Sequence, residues 1–456
     1  MSQLDVVIIG GGISGLSALH FLRRKNPELN IRLYESDSKP GGTIGTDYID
    51  GYSFDHGPNG FLDREPLTLE LCDQLGLTDL LERANEKAEK RFILRKGKLR
   101  EVPISPPKFL SSDILSLRGK LRVMMEPFSP GLGDIPDESL YDFAKRHMGK
   151  EAADYLIQPM VSGIFGGLAE RLSLKSCFPI MAEMEKEYGS LFKAMIKKAK
   201  KAKAEGKKSG GPGGPGGRLT SVRGGLYGII ERFMELYSDL VQLDTPVKSI
   251  IKEESNYLIN FENSQNIRTK HIIIATPSYV AAQITKQLSE NLSASFAKIE
   301  YAPIAVVCQG YQKSNVEHPL EGFGFLVPQK ENKRILGSIW TSSIFSERAP
   351  KDHAQFRTMI GGDGDHESLQ LSDEDLISKV ESDLDSIIGI EAAPEITSIY
   401  RWKNGIPQYK IGHSDVMNRI ETELNMFENI FITGNAYYGI GLNDCVKQSH
   451  AIAQKI

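Results

Sequence analysis

The sequence predicts an α/β protein that opens with a parallel βαβ unit, and three features predict it. A short apolar segment at 5–9 leads into a glycine-rich turn at 10–15, a helical pattern to about residue 25, and a second apolar segment at 31–35. The middle of the chain has apolar residues at helical spacing. Strand patterns return after residue 219, and a last apolar strand at 430–433 ends in glycine before a closing helix.

The composition is typical of a globular protein with a large core. The 456 residues include 55 Lys and Arg against 59 Asp and Glu, a formal net charge of −4, and 40% of them are hydrophobic. This balance excludes a disordered chain and lacks the basic excess of nucleic-acid binders, so we expect no nucleic-acid partner. The four cysteines form no CxxC pair, and we interpret them as reduced thiols of a cytoplasmic protein.

The sequence predicts no spanning helix, no signal peptide and no metal site. No stretch approaches the roughly 18 apolar residues of a membrane-spanning helix, and no basic segment precedes the first apolar run. The nine histidines have no paired-ligand spacing, and no GxSxG elbow is present. We therefore expect a bound cofactor, rather than acid–base side chains, to do the difficult chemistry.

The glycine-rich turn has the spacing of a dinucleotide-binding loop. Gly10 allows the tight turn, Gly12 lets the backbone approach a pyrophosphate, and Gly15 lets helix and sheet pack closely. Glu35 closes the next strand 20 residues after Gly15, where its carboxylate would accept hydrogen bonds from a ribose. The N–H groups that begin the helix would bind the phosphates. The motif in this strand–turn–helix setting predicts a dinucleotide cofactor.

Further glycine-rich segments favour FAD over NAD as that cofactor. A Gly-Gly pair at 41–42 and a Gly-Pro turn at 57–58 follow Glu35, which suits a long cofactor lying extended through the protein. The C-terminal strand opens through 433–442 into a helix, whose N–H groups would contact the other end of the cofactor. Only one GxGxxG is present, so we expect no nicotinamide domain and no NAD(P) as electron acceptor.

A lysine-rich segment at 197–208 precedes the stretch SGGPGGPGG at 209–217. The first segment holds seven lysines and one glutamate, and the pattern predicts a helix that continues into a flexible tether. Two interpretations remain open. The segment is either a solvated insertion without function or a basic patch that contacts anionic lipid headgroups, at about 1 kcal/mol per clustered lysine.

The N-terminal unit resembles that of the amine-oxidase-like flavoproteins, and five further segments resemble the protoporphyrinogen oxidase family. They are spread over most of the chain, which makes the likeness more specific than the glycine motif alone. The segments are 158–167 (QPMVSGIFGG), 322–328 (GFGFLVP), 336–345 (LGSIWTSSIF), 358–362 (TMIGG) and 406–409 (IPQY) with Gly412 and His413.

The resemblance implies a flavoenzyme of haem and porphyrin biosynthesis. An oxygen-dependent FAD oxidoreductase acting on CH–CH groups would convert protoporphyrinogen IX to protoporphyrin IX, with O₂ as acceptor and H₂O₂ released. The implied fold has an FAD-binding, Rossmann-like domain from discontinuous segments, a mixed β-sheet substrate domain and a helical membrane-docking domain. We expect the FAD domain at 1–85, 219–285 and 396–456, the helical domain at 92–208, the tether at 209–217, and the substrate domain at 286–395 with 86–91.

The resemblance also carries site residues over to matching positions. It implies substrate contacts for Asn59, Arg91, Gly163 and Phe165, with the Arg91 guanidinium as a bidentate partner for a propionate; a plain surface arginine is the alternative for Arg91. No side chain is assigned the catalytic step, which is hydride transfer to the flavin N5. The expected cofactor contacts are Gly10, Gly11, Gly12, Ile13, Ser14, Gly15, Glu35, Ser36, Gly42, Thr43, His56, Gly57, Pro58, Asn59, Val247, Asn435, Ile440, Gly441 and Leu442.

Two alternative functions remain open at this point. The first is a coproporphyrinogen III oxidase of the same fold, whose substrate has four propionates. The second is an amine oxidase or a carotenoid desaturase on the same scaffold, which the segments at 158–167 and 322–328 argue against. Expected partners are the porphyrinogen, O₂ and either a second copy or none, with other haem-pathway enzymes and the inner face of the cell membrane as peripheral contacts. The unusual stretch at 197–217 makes the membrane contact less certain than the activity.

Overall fold

The computed structural model describes residues 3–103, 105–131, 137–204 and 217–456. The predicted tether therefore lies outside the described residues except for Gly217, as does 205–208 of the lysine-rich segment. The strands are β1 (Gln3–Ile9), β2 (Ile31–Tyr34), β3 (Thr46–Ile49), β4 (Tyr52–Asp55), β5 (Phe61–Leu62), β6 (Leu81–Arg83), β7 (Arg91–Arg95), β8 (Lys98–Glu101), β9 (Leu219–Val222), β10 (Val241–Gln242), β11 (Val247–Lys252), β12 (Tyr257–Phe261), β13 (Asn266–Ile274), β14 (Tyr301–Gln312), β15 (Gly324–Leu326), β16 (Ile335–Trp340), β17 (His353–Gly361), β18 (Ile396–Pro407) and β19 (Ile430–Ile432).

Helices cover both faces of the first sheet and make up most of the middle of the chain. They are α1 (Ile13–Lys25), α2 (Pro66–Gln74), α3 (Pro106–Ser111), α4 (Leu117–Met124), α5 (Leu140–Met148), α6 (Lys150–Ala152), α7 (Gln158–Phe165), α8 (Leu174–Cys177), α9 (Pro179–Tyr188), α10 (Leu191–Ala204), α11 (Gly228–Tyr237), α12 (Ser278–Thr285), α13 (Glu290–Phe296), α14 (Thr341–Ile344), α15 (Asp373–Ile388), α16 (His413–Leu424) and α17 (Leu442–Lys455).

The first sheet is the predicted dinucleotide-binding sheet. Its strand order is β10-β2-β1-β13-β12-β11, with β19 also paired to β13. Strands β10, β2, β1, β13 and β19 are parallel, and β11 and β12 form the antiparallel edge. Val6, Val7 and Ile8 are fully buried because helices cover both faces, which is why β1 is a continuous apolar run. The α/β fold class is confirmed.

The second sheet is mixed and has the strand order β18-β14-β17-β16-β15-β7-β8. One face packs on α15, whose buried residues Leu376, Val380 and Leu384 recur every four residues. The expectation that 92–208 is helical is wrong at its start, because β7 and β8 form a hairpin that joins this sheet beside β15. Pairing with distant strands decides the structure of such a short segment. The division into domains itself stays a prediction.

A buried polar network holds the helices of the middle segment together. Glu126 and His147 are fully buried, and the His147 Nδ1 lies 2.8 Å from the Glu126 Oε1. The other ring nitrogen lies 3.2 Å from Glu185. Glu126 also accepts hydrogen bonds from the Ser190 hydroxyl at 2.6 Å and the Leu191 N–H at 2.7 Å, where α10 begins. This carboxylate therefore fixes the position of α10.

Within the described ranges, no helix combines the length and the apolar character needed to cross a bilayer. The same ranges contain no group of three or more His, Cys, Asp or Glu side chains that could hold a metal ion.

The Glu126 network predicts a pH-dependent stability. Burial alone would raise the pKa of Glu126, but the hydrogen bonds from Ser190, Leu191 and Phe192 outweigh it and hold the pKa below the ordinary value. The stabilisation is therefore present above the ordinary glutamate pKa and is lost as the pH falls through the lower folded-state value. Glu126→Gln should lower the free energy of unfolding at pH 7 by about 2–4 kcal/mol.

Urea unfolding of wild type and Glu126→Gln at a series of pH values from 7 down to 3 measures this difference. The difference in the free energy of unfolding between the two proteins should become smaller as the pH falls. Glu254→Gln, at an exposed glutamate, is the matched control and should change the free energy of unfolding little at any pH. A difference in the free energy of unfolding that stays constant over the pH series would contradict the prediction.

Candidate functional site

The carboxyl ends of four parallel strands meet at one edge of the first sheet. Gly10 follows β1, Glu35 follows β2, Ala275 follows β13, and Thr433 follows β19. Gly10 has φ +108°, and a Cβ there would lie 2.8 Å from the Ala275 carbonyl oxygen. A Cβ at Gly15 would lie 1.9 Å from the Gly10 oxygen. Both positions thus require glycine, for the turn and for close packing of α1 on the sheet, as the motif predicts.

Glu35 is buried and faces the glycine turn. Its Oε2 accepts the Gly11 N–H at 2.5 Å, and its Oε1 accepts the Ser36 hydroxyl at 2.9 Å and the Asp37 N–H at 3.0 Å. The carboxylate is therefore fixed at the end of β2 beside the loop. This is the position that a hydrogen-bond acceptor for a ribose needs in a dinucleotide fold.

Two helices of this sheet begin at glycines that leave their first N–H groups without a side-chain cap. Gly12 precedes α1 and Gly441 precedes α17, and neither has a side chain to accept a hydrogen bond, while the Gly441 N–H itself donates to the Asp444 Oδ2 at 3.2 Å. The 41–42 pair lies against the same loop, because the Gly41 N–H donates to the Gly11 oxygen at 2.9 Å. Free N–H groups at a helix start, with its positive dipole end, attract phosphate.

The residues at this edge fit a dinucleotide. Glycines at the positions of closest approach, an uncapped start of α1 and a buried acidic acceptor are the features that such a cofactor needs. Asn59 provides a further sign, because its buried Nδ2 has no hydrogen-bond partner among the described residues. Buried amide groups are rarely left unpaired, so this one suits a ligand acceptor.

The turn at 55–57 joins the first sheet region to the second sheet. The Trp402 indole N–H donates to the His56 oxygen at 3.2 Å, and Arg357 donates through Nε to the Asp55 oxygen at 3.3 Å and through Nη2 to the Gly57 oxygen. The His56 ring stacks on Tyr400 with the ring centroids 4.0 Å apart. The predicted contacts His56, Gly57, Pro58 and Asn59 therefore lie over the second sheet.

One face of the second sheet brings together the predicted substrate residues. Arg91 pairs with Gly324, and Ile93 with Leu326, so Arg91 and Leu326 point to the same side. A Cβ at Gly163 would lie 2.6 Å from Leu326, which places α7 on this side. Across the sheet, Gly324 pairs with Ile339 and Ile339 pairs with Arg357. Arg357 therefore points to the same side as Arg91 and lies three strand spacings, or about 14 Å, away from it.

Two predicted contacts have other surroundings. Phe165 is buried with Phe178 and Tyr409, at ring-centroid distances of 6.0 and 6.4 Å, so its side chain faces a core rather than open space. Val247 begins β11 at the antiparallel edge of the first sheet and packs against the core of that domain. The roles of both residues stay predictions.

The loop with Asn435, Ile440, Gly441 and Leu442 is held by the segment 406–409. The Tyr409 hydroxyl donates to the Asn435 oxygen at 2.7 Å and accepts the Gly439 N–H at 2.9 Å. Burial raises the pKa of Tyr409 well above its usual range, so the phenol remains a donor. Tyr409 therefore fixes the shape of the loop that leads into α17.

Sequence reasoning missed the buried arginines near the 55–57 turn. Arg348 is 0% exposed and Asp55 2% exposed, and their side chains lie 3.1 Å apart. The Asp55 carboxylate also accepts the Thr46 hydroxyl at 2.7 Å and the Leu226 N–H at 3.1 Å. These residues are far apart in the chain, and their segments carry no motif for charge, so only the fold reveals the cluster.

A surface cleft of about 410 Å³ lies elsewhere. It is lined by Lys87, Lys313, His318 and Ser342, among others, and contains none of the predicted cofactor or substrate residues. Because it lacks the glycine turns and the sheet edge, we place the functional site at the edge of the first sheet and the adjoining face of the second.

Comparison with known proteins agrees with this geometry. The family model described as flavin containing amine oxidoreductase matches residues 13–456. The chain is 30% identical to the coproporphyrinogen III oxidase of Bacillus subtilis over 98% of this chain and 96% of the relative. It is also 30% identical to the chloroplastic protoporphyrinogen oxidase of Nicotiana tabacum, over 100% and 86%.

A crystal structure from Exiguobacterium sp. 255-15, provisionally named a protoporphyrinogen oxidase, has the same fold. It superposes with a TM-score of 0.85 at 27% identity and covers 100% of this chain and 99% of that one. The protein is thus an FAD-binding flavoprotein and an oxidoreductase of the porphyrin pathway. The chain belongs to the flavin containing amine oxidoreductases, within their group of protoporphyrinogen and coproporphyrinogen oxidases.

Proposed function

We propose that the protein oxidises protoporphyrinogen IX to protoporphyrin IX and that O₂ re-oxidises its FAD. The observation that carries this proposal is the shared face of the second sheet, on which Arg91, Gly163 and the turn with Asn59 lie together. A cation for a carboxylate and a cofactor turn are what this reaction requires of one surface, and Gly163 lets α7 pack closely on Leu326 beside them.

The reaction balances over three rounds. In each round the substrate would lose a hydride from carbon and a proton from the ring system, and one O₂ would take up the two electrons and two protons as H₂O₂. Bound FAD supplies the hydride acceptor. The chain has to orient the macrocycle and exclude water, with Arg91 holding a propionate and the floor of Leu326 and Ile339 below the ring.

We assign the cofactor contacts by segment. The loop with Gly10, Gly12 and Gly15 would hold the pyrophosphate on the start of α1, and Glu35 would accept the ribose hydroxyls. The turn with Gly57 and the start of α17 would contact the flavin end. The remaining proposed contacts are Gly11, Ile13, Ser14, Ser36, Gly42, Thr43, His56, Pro58, Asn59, Val247, Asn435, Ile440, Gly441 and Leu442.

Coproporphyrinogen III is a second candidate substrate. The coproporphyrinogen III oxidase of Bacillus subtilis is as similar to this chain as the plant protoporphyrinogen oxidase, and the match covers 96% of its length against 86%. Its substrate has four carboxylates, two more than protoporphyrinogen. Arg91 at the start of β7 would serve either substrate, so turnover has to separate them.

Parallel turnover of the purified holoenzyme on both porphyrinogens tests the proposal. Porphyrin fluorescence and O₂ uptake should show the higher kcat/KM on protoporphyrinogen IX, with three O₂ consumed per porphyrin. A higher value on coproporphyrinogen III would transfer the assignment to the second candidate. Oxidation of an amine, with no turnover of either porphyrinogen, would overturn the porphyrin assignment.

Removing the Arg91 guanidinium should weaken substrate binding. Arg91 is exposed, lies 5.3 Å from the Phe323 ring centroid, and forms no ion pair with a described residue. Because a charged hydrogen bond contributes about 1.5–3 kcal/mol, Arg91→Ala should raise KM by about tenfold or more with a small change in kcat. Arg91→Lys should be intermediate, since a point charge replaces the planar fork.

Steady-state kinetics on the preferred porphyrinogen measure both constants. Arg24→Ala removes another exposed arginine, on the last turn of α1 away from the second sheet, and should leave KM unchanged. An unchanged KM in Arg91→Ala would remove Arg91 from the substrate site.

We also propose that the protein contacts an anionic membrane surface through an apolar stripe. The stripe consists of Leu110, Leu117, Leu121, Met124, Met125 and Phe128, all exposed, with Leu117 at 74% and Phe128 at 83%. On α4 its members recur at helical spacing. The lysine-bearing helix α10 begins beside it, because the Leu191 N–H donates to Glu126. Apolar side chains next to clustered lysines are typical of such contacts.

Co-sedimentation with vesicles of phosphatidylcholine, with and without phosphatidylglycerol, tests this contact. The double variant Leu117→Ser with Phe128→Ser should bind anionic vesicles at least about tenfold more weakly, since each buried apolar side chain contributes about 1.5–3 kcal/mol. Met426→Ser, which alters an exposed methionine after α16, is the control and should bind like wild type. Equal binding of the double variant and wild type would contradict the contact.

A further inference from the structure

Arg357 is a buried cation without a carboxylate of its own. It lies on β17 and is 6% exposed, and no acidic side chain in the described part of the chain lies within ion-pair distance of it. Its guanidinium donates to two backbone oxygens, those of Asp55 at 3.3 Å and of Gly57. Neutral carbonyls satisfy the donors but leave the positive charge in place.

Asp55, the acidic residue near Arg357, already forms an ion pair with Arg348. The two side chains lie 3.1 Å apart, and the other carboxylate oxygen of Asp55 accepts hydrogen bonds from Thr46 and Leu226. The two arginines therefore share one buried carboxylate. Burial lowers the pKa of Arg357, with Asp55 acting against this at longer range. An arginine nonetheless remains charged at neutral pH.

The Arg357 charge lies beside the turn that we assign to the cofactor. Arg357 donates to Gly57, which lies in the turn at 56–59 that we assign to the flavin end of the cofactor. Two-electron reduction of FAD takes up two electrons and, at neutral pH, one proton, so the flavin gains one negative charge. A buried cation beside a cofactor is one of the means by which a protein favours its reduced form.

We propose that Arg357 is a positioning residue with two effects: it fixes the Gly57 turn, and its uncompensated charge favours the reduced state of the bound FAD. The inference rests on the proposed cofactor turn and not on the identity of the substrate. It can therefore fail while porphyrinogen oxidation stands, and the reverse also holds.

The test measures the flavin midpoint potential of each holoprotein without substrate, by dithionite titration against indicator dyes. Arg357→Gln keeps a donor for the Gly57 oxygen but removes the charge. We expect its reduction equilibrium constant to fall at least tenfold, which is a shift of about 30 mV to lower potential for a two-electron couple. Arg357→Lys keeps the charge and should stay within threefold of wild type.

Gln355→Met is the matched control, because the Gln355 amide donates to the Ser53 oxygen at 2.8 Å in the same contact but carries no charge. It should lower the melting temperature and leave the potential unchanged. Cys308→Asp gives an independent route. Cys308 is the buried cross-strand partner of Arg357, so the new carboxylate would pair with the guanidinium and should lower the potential as Arg357→Gln does.

The potentials of these variants decide whether the Arg357 charge acts on the flavin. A lowered potential in Arg357→Gln, or in Cys308→Asp where Arg357→Gln does not fold, supports the proposal when Gln355→Met stays at the wild-type value. An unchanged potential in a folded, FAD-loaded Arg357→Gln overturns it, and so does an unchanged potential in Cys308→Asp where Arg357→Gln does not fold. A shift in Arg357→Lys as large as that in Arg357→Gln overturns the role of the charge.

Discussion

The contact between the 53–57 segment and the second sheet is the constraint on which the site depends. Strand β4 and the turn that follows it present carbonyl oxygens to the second sheet. Side chains of the second sheet supply the hydrogen bonds: Gln355 to Ser53, Arg357 to Asp55 and Gly57, and Trp402 to His56. Because a buried carbonyl without a donor costs about 1–3 kcal/mol, these bonds fix how the turn with Gly57 lies over the second sheet.

The same principle explains the polar residues of the family motifs. Gln158 accepts the Ala169 N–H at 2.7 Å, and Gln408 donates to the Phe165 oxygen at 2.7 Å. Together with Tyr409, they hold the end of α7 and the loop before α17 against the second sheet. None of these side chains has to take part in oxidation. They fix the conformation of glycine-rich backbone, which the proposed contact between FAD and a porphyrinogen requires.

How far the sequence predicts this structure depends on how local each feature is. The βαβ unit is local, and the predicted segments 5–9 and 31–35 appear as Gln3–Ile9 and Ile31–Tyr34 with Glu35 at the sheet edge. The hairpin of β7 and β8 was missed because its pattern is short and its partner, β15, lies more than 200 residues away.

The pairs of Arg348 with Asp55 and of Arg357 with Gly57 were missed because they join segments about 300 residues apart. The sequence could not show that the apolar stripe on α4 is exposed. The spacing of apolar residues shows that one face of a helix is apolar, but it does not show whether another element covers that face.

The order of the chain explains why the glycine motif alone cannot make the site. The edge that fits the cofactor consists of the ends of β1, β2, β13 and β19, which close at residues 9, 34, 274 and 432. The last helix is fastened to the first, because the Ser449 hydroxyl donates to the Ser14 oxygen at 2.8 Å. A ligand that contacts both helix starts gains its full binding energy only after the whole chain has folded. Cofactor binding must therefore stabilise the two ends of the protein as one unit, since a ligand that binds only the folded state shifts the folding equilibrium toward it.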